Sequence, residues 1–287
     1  MNYLIGLAIL PVVFLLKFIY NKDVNKEPSN LLKKTFIFGM LTIIPCIVIE
    51  LLLQEVFPVD DNSDLLFLFV CVFVSVALVE ELFKWLVVRK IAYTNNEFDE
   101  TYDGIVYCIY SSLGFACLEN IGFVLKFGIE TGIYRAVTAV PSHACDAIFM
   151  GYFFGKAKMC KYNGDNKSSK KYLFLSLFIP TLIHAIYDYL LFSKILGFFI
   201  IWIVFVIVLF IICFKLVNKC AKNNTKFLNK ESAVQVNVGQ GTVQNAVQMN
   251  TVQNTVQMSN NYCTNCGSMI SINDNYCKNC GNQIKRL

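Results

Sequence analysis

The chain has 287 residues, 56% of them apolar, and carries a formal net charge of +5 at pH 7. That apolar share exceeds the roughly 45–50% of soluble domains, and it is gathered into long blocks, which excludes an ordinary soluble globular protein. The basic residues fall between the blocks, so the positive charge is a topology signal and gives no reason to expect a nucleic-acid partner.

In chain order the apolar blocks lie at about residues 2–20, 36–54, 65–88, 104–127, 135–155, 172–192 and 196–217. A helix needs roughly 20 apolar residues to cross a bilayer. The pattern therefore predicts an all-α polytopic membrane protein with about seven transmembrane helices. The first block does not read as a signal peptide, because Lys17 interrupts it late and no small-residue cleavage site follows. Lys22, Lys26, Lys33 and Lys34 fill the loop after the first helix, while the next loop holds Glu55, Asp60, Asp61 and Asp64. The third loop is mixed: Arg89 and Lys90 stand against Glu97, Asp99 and Glu100. The fifth loop (Lys156 to Lys171) and the segment after the seventh helix (Lys215 to Lys230) are again basic. This alternation predicts a multi-pass protein of the cell membrane with the N-terminus outside and the C-terminus in the cytoplasm.

The third block contains VSVALVEELFKWLVV, with Glu80, Glu81 and Lys84 well inside an apolar run. A charge at mid-bilayer costs on the order of 3 kcal/mol even on lenient scales. On a helix Lys84 lies four residues from Glu80 and three from Glu81, within pairing reach of either. The fourth block places Glu119 and Asn120 in GFACLENIGF. The fifth carries His143 and Asp146 three apart, and the sixth His184 and Asp188 four apart, each pair on one helix face. These are the chain's two histidines, and each has an acid one turn away. Counted from the cytoplasmic loops at about 1.5 Å per residue, Glu80, Glu119, His143 and His184 lie roughly 13 to 24 Å into a core about 30 Å thick. That spread calls for a kinked or tilted helix, and Gly104, Gly114 and Gly122 make the fourth helix the candidate.

The residues point to a water-filled intramembrane pocket of acids and imidazoles. It could activate water through a carboxylate, hold a catalytic metal through two His and a Glu, or relay protons or ions as a coupled transporter. A polar network that merely fixes helix register is the bland alternative. No inverted repeat of the kind expected in transporters is present.

Beyond Lys230 the composition changes: TVQNAVQMN at 242–250 is repeated as TVQNTVQMS at 251–259, without charge. Residues 221–261 read as a flexible polar linker after a membrane domain of 1–220. Residues 262–287 then carry Cys263, Cys266, Cys277 and Cys280 as two CxxC knuckles, each followed by glycine. Four such thiolates can close a tetrahedron around structural Zn²⁺, and a cytoplasmic location disfavours disulfides. The segment resembles a short zinc-ribbon, a candidate contact for a cytoplasmic protein partner. The other eight cysteines lie in or beside membrane helices without common spacing, where Cys acts as a small apolar residue.

Glu80-Glu81-x-x-Lys84, Phe115-x-x-x-Glu119, His143 with Gly151 eight residues on, and His184-x-x-x-Asp188 occur in that order on four helices. Over about residues 3 to 215 the chain thereby resembles the PrsW family of intramembrane proteases. Tyr20-Asn-Lys-Asp23 followed by Glu27-Pro28 is similar to that family's first cytoplasmic loop. The resemblance implies peptide-bond hydrolysis of a membrane-spanning protein, an anti-sigma factor being the family's best-known substrate. It leaves a glutamic or a metal-dependent mechanism open. Under it, Glu80 or Glu81 is the general base, with Lys84 holding the other carboxylate. Glu119 and His143 orient or protonate, and His184 with Asp188 completes the pocket.

Overall fold

The structure is a computed structural model that describes residues 2–59 and 64–227 and the single positions 276, 279 and 283. The chain divides into two units, Met1–Phe227 and Leu228–Leu287. In the second unit, Tyr276 and Gln283 form an antiparallel bridge. The nine-residue repeat and the four tail cysteines lie outside the described residues.

Among its described residues, the first unit is a bundle of ten α-helices: α1 (Asn2–Lys22), α2 (Ser29–Leu41), α3 (Ile43–Gln54), α4 (Leu65–Val72), α5 (Leu78–Val87), α6 (Asp103–Phe127), α7 (Ile129–Val137), α8 (Ala139–Tyr162), α9 (Asn166–Phe192) and α10 (Leu196–Lys222). Several join end to end. Thr42 alone separates α2 from α3, where Pro45 lacks the N–H that would bond back to the carbonyl of Leu41. A π-helical turn at Phe73–Ala77 links α4 to α5, and a second extends α5 through Val88–Ala92. Among the described residues, six helices are long and apolar enough to cross a membrane: Ile5–Lys22, Ser29–Gln54, Leu65–Ala92, Asp103–Phe127, Asn166–Phe192 and Leu196–Lys222. The remaining long helix, α8, is comparable in length but carries Ser142, His143 and Asp146. It is largely buried, packed against α6 and α9, so its side chains answer to protein partners instead of lipid.

Close backbone contact explains how α6 and α8 pack. A Cβ at Gly104 would stand 2.3 Å from the carbonyl oxygen of Gly151, and one at Gly151 would stand 2.4 Å from that of Gly104. Small residues that let helices touch are the usual device of membrane bundles. Gly104 thus serves close packing of α6 on α8. The helix runs unbroken from Asp103 to Phe127, and the irregular backbone lies in the π turns that flank α5.

Four segments at or between helix ends meet one another. Lys22 Nζ donates to Asn218 Oδ1 at 2.8 Å, and Asn25 and Asn224 both donate to the Glu100 carboxylate. Lys158 Nζ reaches the carbonyl of Tyr93 at 2.6 Å, and Lys226 pairs with Asp99 at 2.8 Å. The α1–α2 turn, the 93–102 linker, the end of α8 and the strand of chain after α10 thus form one polar cap.

Candidate active site

A π turn adds a residue to the helical repeat, so it rotates everything after it by about 100° relative to an unbroken helix. Downstream of the turn at Phe73–Ala77, α5 buries Val79, Glu80, Glu81, Lys84 and Val87. Lys84 is fully buried, and its Nζ stands 2.9 Å from Glu80 Oε2 and 2.9 Å from Glu81 Oε1. One ammonium therefore holds both carboxylates. The expectation that Lys84 holds only the carboxylate other than the base gives way to a grip on both. The same Nζ lies 3.2 Å from His143 Nδ1 on α8 and 4.2 Å from the centre of the Phe115 ring on α6.

His143 and His184 enter from α8 and α9 with ring centroids 5.3 Å apart and planes at 77°. His143 Nε2 is 3.0 Å from Glu119 Oε2, an oxygen that also accepts from Arg135 Nη2 at 2.5 Å. Arg135 Nε in turn donates to Asn120 Oδ1, and Asn120 donates to the carbonyl of Ala8. His184 Nδ1 is 3.0 Å from Glu81 Oε1 and 3.9 Å from Asp146 Oδ2, while Nε2 is 3.3 Å from Asp188 Oδ2 and 3.9 Å from Glu80 Oε2. Further side-chain hydrogen bonds fix the helices that carry these groups. Ser111 Oγ donates to the carbonyl of Lys84, Ser112 Oγ to that of His143, and Trp85 Nε1 to Ser176 Oγ.

All seven residues expected from the sequence, Glu80, Glu81, Lys84, Glu119, His143, His184 and Asp188, meet in this cluster. Three more belong to its surroundings. Asp146, three residues after His143 in the sequence, joins the seven, with Oδ2 3.9 Å from His184 Nδ1. Glu50 and Arg135 each lie inside or at the start of an apolar block, and the rule that singled out Glu80 would have found them too. Glu50, Glu80, Glu119, Arg135, Asp146 and Asp188 all line a cavity of about 1540 Å³ whose remaining wall is mostly apolar. That exceeds the roughly 300–1,000 Å³ of small-molecule pockets and leaves room for a segment of extended peptide. Glu81 does not line it.

The donor set also fits a metal ion. Glu80, Glu81, His143 and His184 each offer one ligand atom, all within 4.8 Å of one another, and all four are buried. Glu81 Oε2 is buried without a hydrogen-bond partner, a donor atom to spare. Two imidazoles and two carboxylates are the ligand types of catalytic zinc centres.

Comparison with known proteins gives one answer. The family model described as PrsW family intramembrane metalloprotease matches residues 27–214. Protease PrsW of Geobacillus kaustophilus is 41% identical over 192 residues, covering 67% of this chain and 80% of that protein. Protease PrsW of Bacillus subtilis is 36% identical over 189 residues (66% and 82%), and that of Clostridioides difficile 33% over 208 residues (71% and 85%). No solved structure matches.

Proposed function

The chain belongs to the PrsW family of intramembrane metalloproteases, and from that premise we propose how its buried cluster cuts a peptide bond and what it cuts. The observation that carries the proposal is the double grip of Lys84 on Glu80 and Glu81, with both histidines against the same pair. Glu80 lines the cavity and Glu81 does not, so Glu80 is the general base that takes a proton from the attacking water. Glu81 holds Lys84 and His184 in place. Lys84 keeps two carboxylates side by side that would otherwise repel. Glu119, anchored by Arg135, orients His143, which stands where it can pass a proton to the leaving amine. Asp188 orients His184, whose ring faces the cavity as a donor to the developing oxyanion.

The four residues that would hold a metal are Glu80, Glu81, His143 and His184; bound there, the ion supplies Lewis-acid polarisation and an acidified water. His143 Nδ1 is already engaged by Lys84, so ligation through that nitrogen would require Lys84 to keep only its carboxylates. A coupled transporter would use the same residues as a relay; family membership favours the hydrolase.

The substrate is a membrane-spanning protein whose helix unwinds locally, since a helical peptide bond has its N–H and C=O engaged. An anti-sigma factor is the candidate that the family resemblance supplies. The basic segments that meet at the polar cap support placing that cap, with the C-terminus, in the cytoplasm and the N-terminus outside. Residues 221–261 would then tether a zinc-ribbon of 262–287, with Zn²⁺ on Cys263, Cys266, Cys277 and Cys280, available to a cytoplasmic partner.

The test is cleavage of a single-pass substrate by detergent-purified protein with no gradient present. His184→Ala and Asp188→Ala should both be impaired, His184→Ala more so. Gradient-dependent ion flux in liposomes, with no cleavage of any substrate, would overturn the assignment.

A further inference from the structure

Glu50 lines the cavity, yet the catalytic cluster makes no use of it. It stands on α3, where Ile43, Cys46, Ile47, Glu50 and Gln54 all line the cavity. That spacing is one face of a helix. On the opposite face Ile44, Val48, Leu51 and Leu52 are exposed. The α3 helix is therefore a wall, apolar on its outer side and carrying a carboxylate within. Glu50 lies one turn before the end of the Ser29–Gln54 span, the end away from the α1–α2 turn. A second cavity of about 400 Å³ shares Glu50, Gln54, Val76, Leu191 and Phe192 with the first and adds Ser75 and Lys194. Glu50 thus stands where the two adjoin.

Oε1 of Glu50 is buried without a hydrogen-bond partner, and no basic side chain among the described residues forms an ion pair with this carboxylate. Two basic groups of the main cavity wall are turned to other partners. Arg135 holds Glu119 and Asn120, and Lys126 lies 5.0 Å from the centre of the Phe127 ring. Leaving a buried carboxylate unpaired is costly, and the neighbours of Glu50 on its own face, Cys46 and Ile47, give it nothing. It also lies within the electrostatic reach of Glu80 and His184. A group held by Glu50 is therefore close to the bond being cut.

We propose that Glu50 is a specificity residue, which receives a Lys or Arg side chain of the substrate beside the scissile segment. This rests on the reading of the cavity as the place where a peptide is cut. Gln54, four residues on, offers an amide oxygen on the same face. A long basic side chain near the end of a membrane span normally reaches out to the interface; Glu50, about 6 Å from the end of its own span, gives that charge a partner inside the protein. The substrate class is accordingly a single-pass protein with a basic residue close to the boundary of its span. An acidic residue at the same place would meet like charge and be rejected.

The test gives full-length protein in detergent a series of single-pass substrates with Lys, Gln or Glu at each position of the two turns nearest that boundary. At one position kcat/KM should be at least about tenfold higher for Lys than for Gln, and lowest for Glu, with the difference in KM, as a hydrogen bond to a charged group allows. Glu50→Gln keeps the side-chain volume and should abolish the preference for Lys over Gln. Glu50→Lys should invert the order and favour the Glu substrate. Binding of the same series to Glu80→Gln protein, read by fluorescence anisotropy, should show the same order whether or not any substrate is cut, and adding Glu50→Gln should remove it. Absence of cleavage throughout would thus count against proteolysis alone. Equal binding of the Lys, Gln and Glu substrates, or a Lys preference that survives Glu50→Gln, would overturn the role of Glu50.

Discussion

Lys84 Nζ and His143 Nδ1 meet at 3.2 Å between α5 and α8. An ammonium has protons to give and no lone pair, so Nδ1 must accept, and the ring proton sits on Nε2 facing Glu119. One lysine thus fixes two carboxylates and the tautomer of a histidine. Lys84→Met should remove all three constraints and leave Glu80 and Glu81 buried against each other. Breaking a buried ion pair typically costs about 3–5 kcal/mol. Both the thermal midpoint and the cleavage rate should fall. A Lys84→Met protein that melts and cuts normally would refute this role.

The α6–α8 contact predicts a contrast among glycines. Gly104→Ala and Gly151→Ala each place a methyl against a facing backbone carbonyl, 2.3 and 2.4 Å away. Separating the helices pulls His143 from Glu119, so activity and stability should drop together. At Gly122 nothing lies within 4 Å of an added Cβ. Gly122→Ala should be neutral or gain up to about 1 kcal/mol from helix propensity. Melting curves and cleavage assays on the three variants decide it.

The site was legible in the sequence for a simple energetic reason. A charge inside an apolar block needs a partner, and His143, His184, Glu119 and the Glu80–Glu81–Lys84 triplet announced themselves that way. Pairings were less legible. Nothing local says that Arg135 reaches back sixteen residues to Glu119, or that Lys84 takes both carboxylates, because such choices depend on helix rotation. That rotation is set by the π turn at Phe73–Ala77, whose sequence FVSVA carries no proline or glycine to mark it. The acids of the polar cap read as ordinary loop charges because burial by distant segments leaves no local pattern.

The cap should respond to pH. Burial pushes the Asp23 carboxyl up to about 6 and the Glu27 carboxyl up to about 7. At Asp23, Lys26 and the backbone N–H groups of Asn25 and Glu27 pull down and Glu100 pushes up; at Glu27, the Tyr107 hydroxyl and Asp103 pull down and Asp23 and Asp99 push up. Both values exceed those of an unfolded chain, so the folded state holds these protons more tightly. Their contribution is fully present below about pH 4 and is lost as pH rises through about 6 to 7. The melting midpoint should therefore fall between about pH 5 and 8. A midpoint that rises over the same range would contradict this account.

The catalytic account turns on Glu80, the carboxylate of the pair that faces the cavity. Replacing it with Gln keeps size and hydrogen bonding and removes the proton acceptor. The decisive measurement is the cleavage rate of a single-pass substrate by detergent-purified Glu80→Gln protein beside the parent chain. Loss of about 100-fold or more, with unchanged accumulation in the membrane, is the predicted result; near-normal cleavage would contradict it.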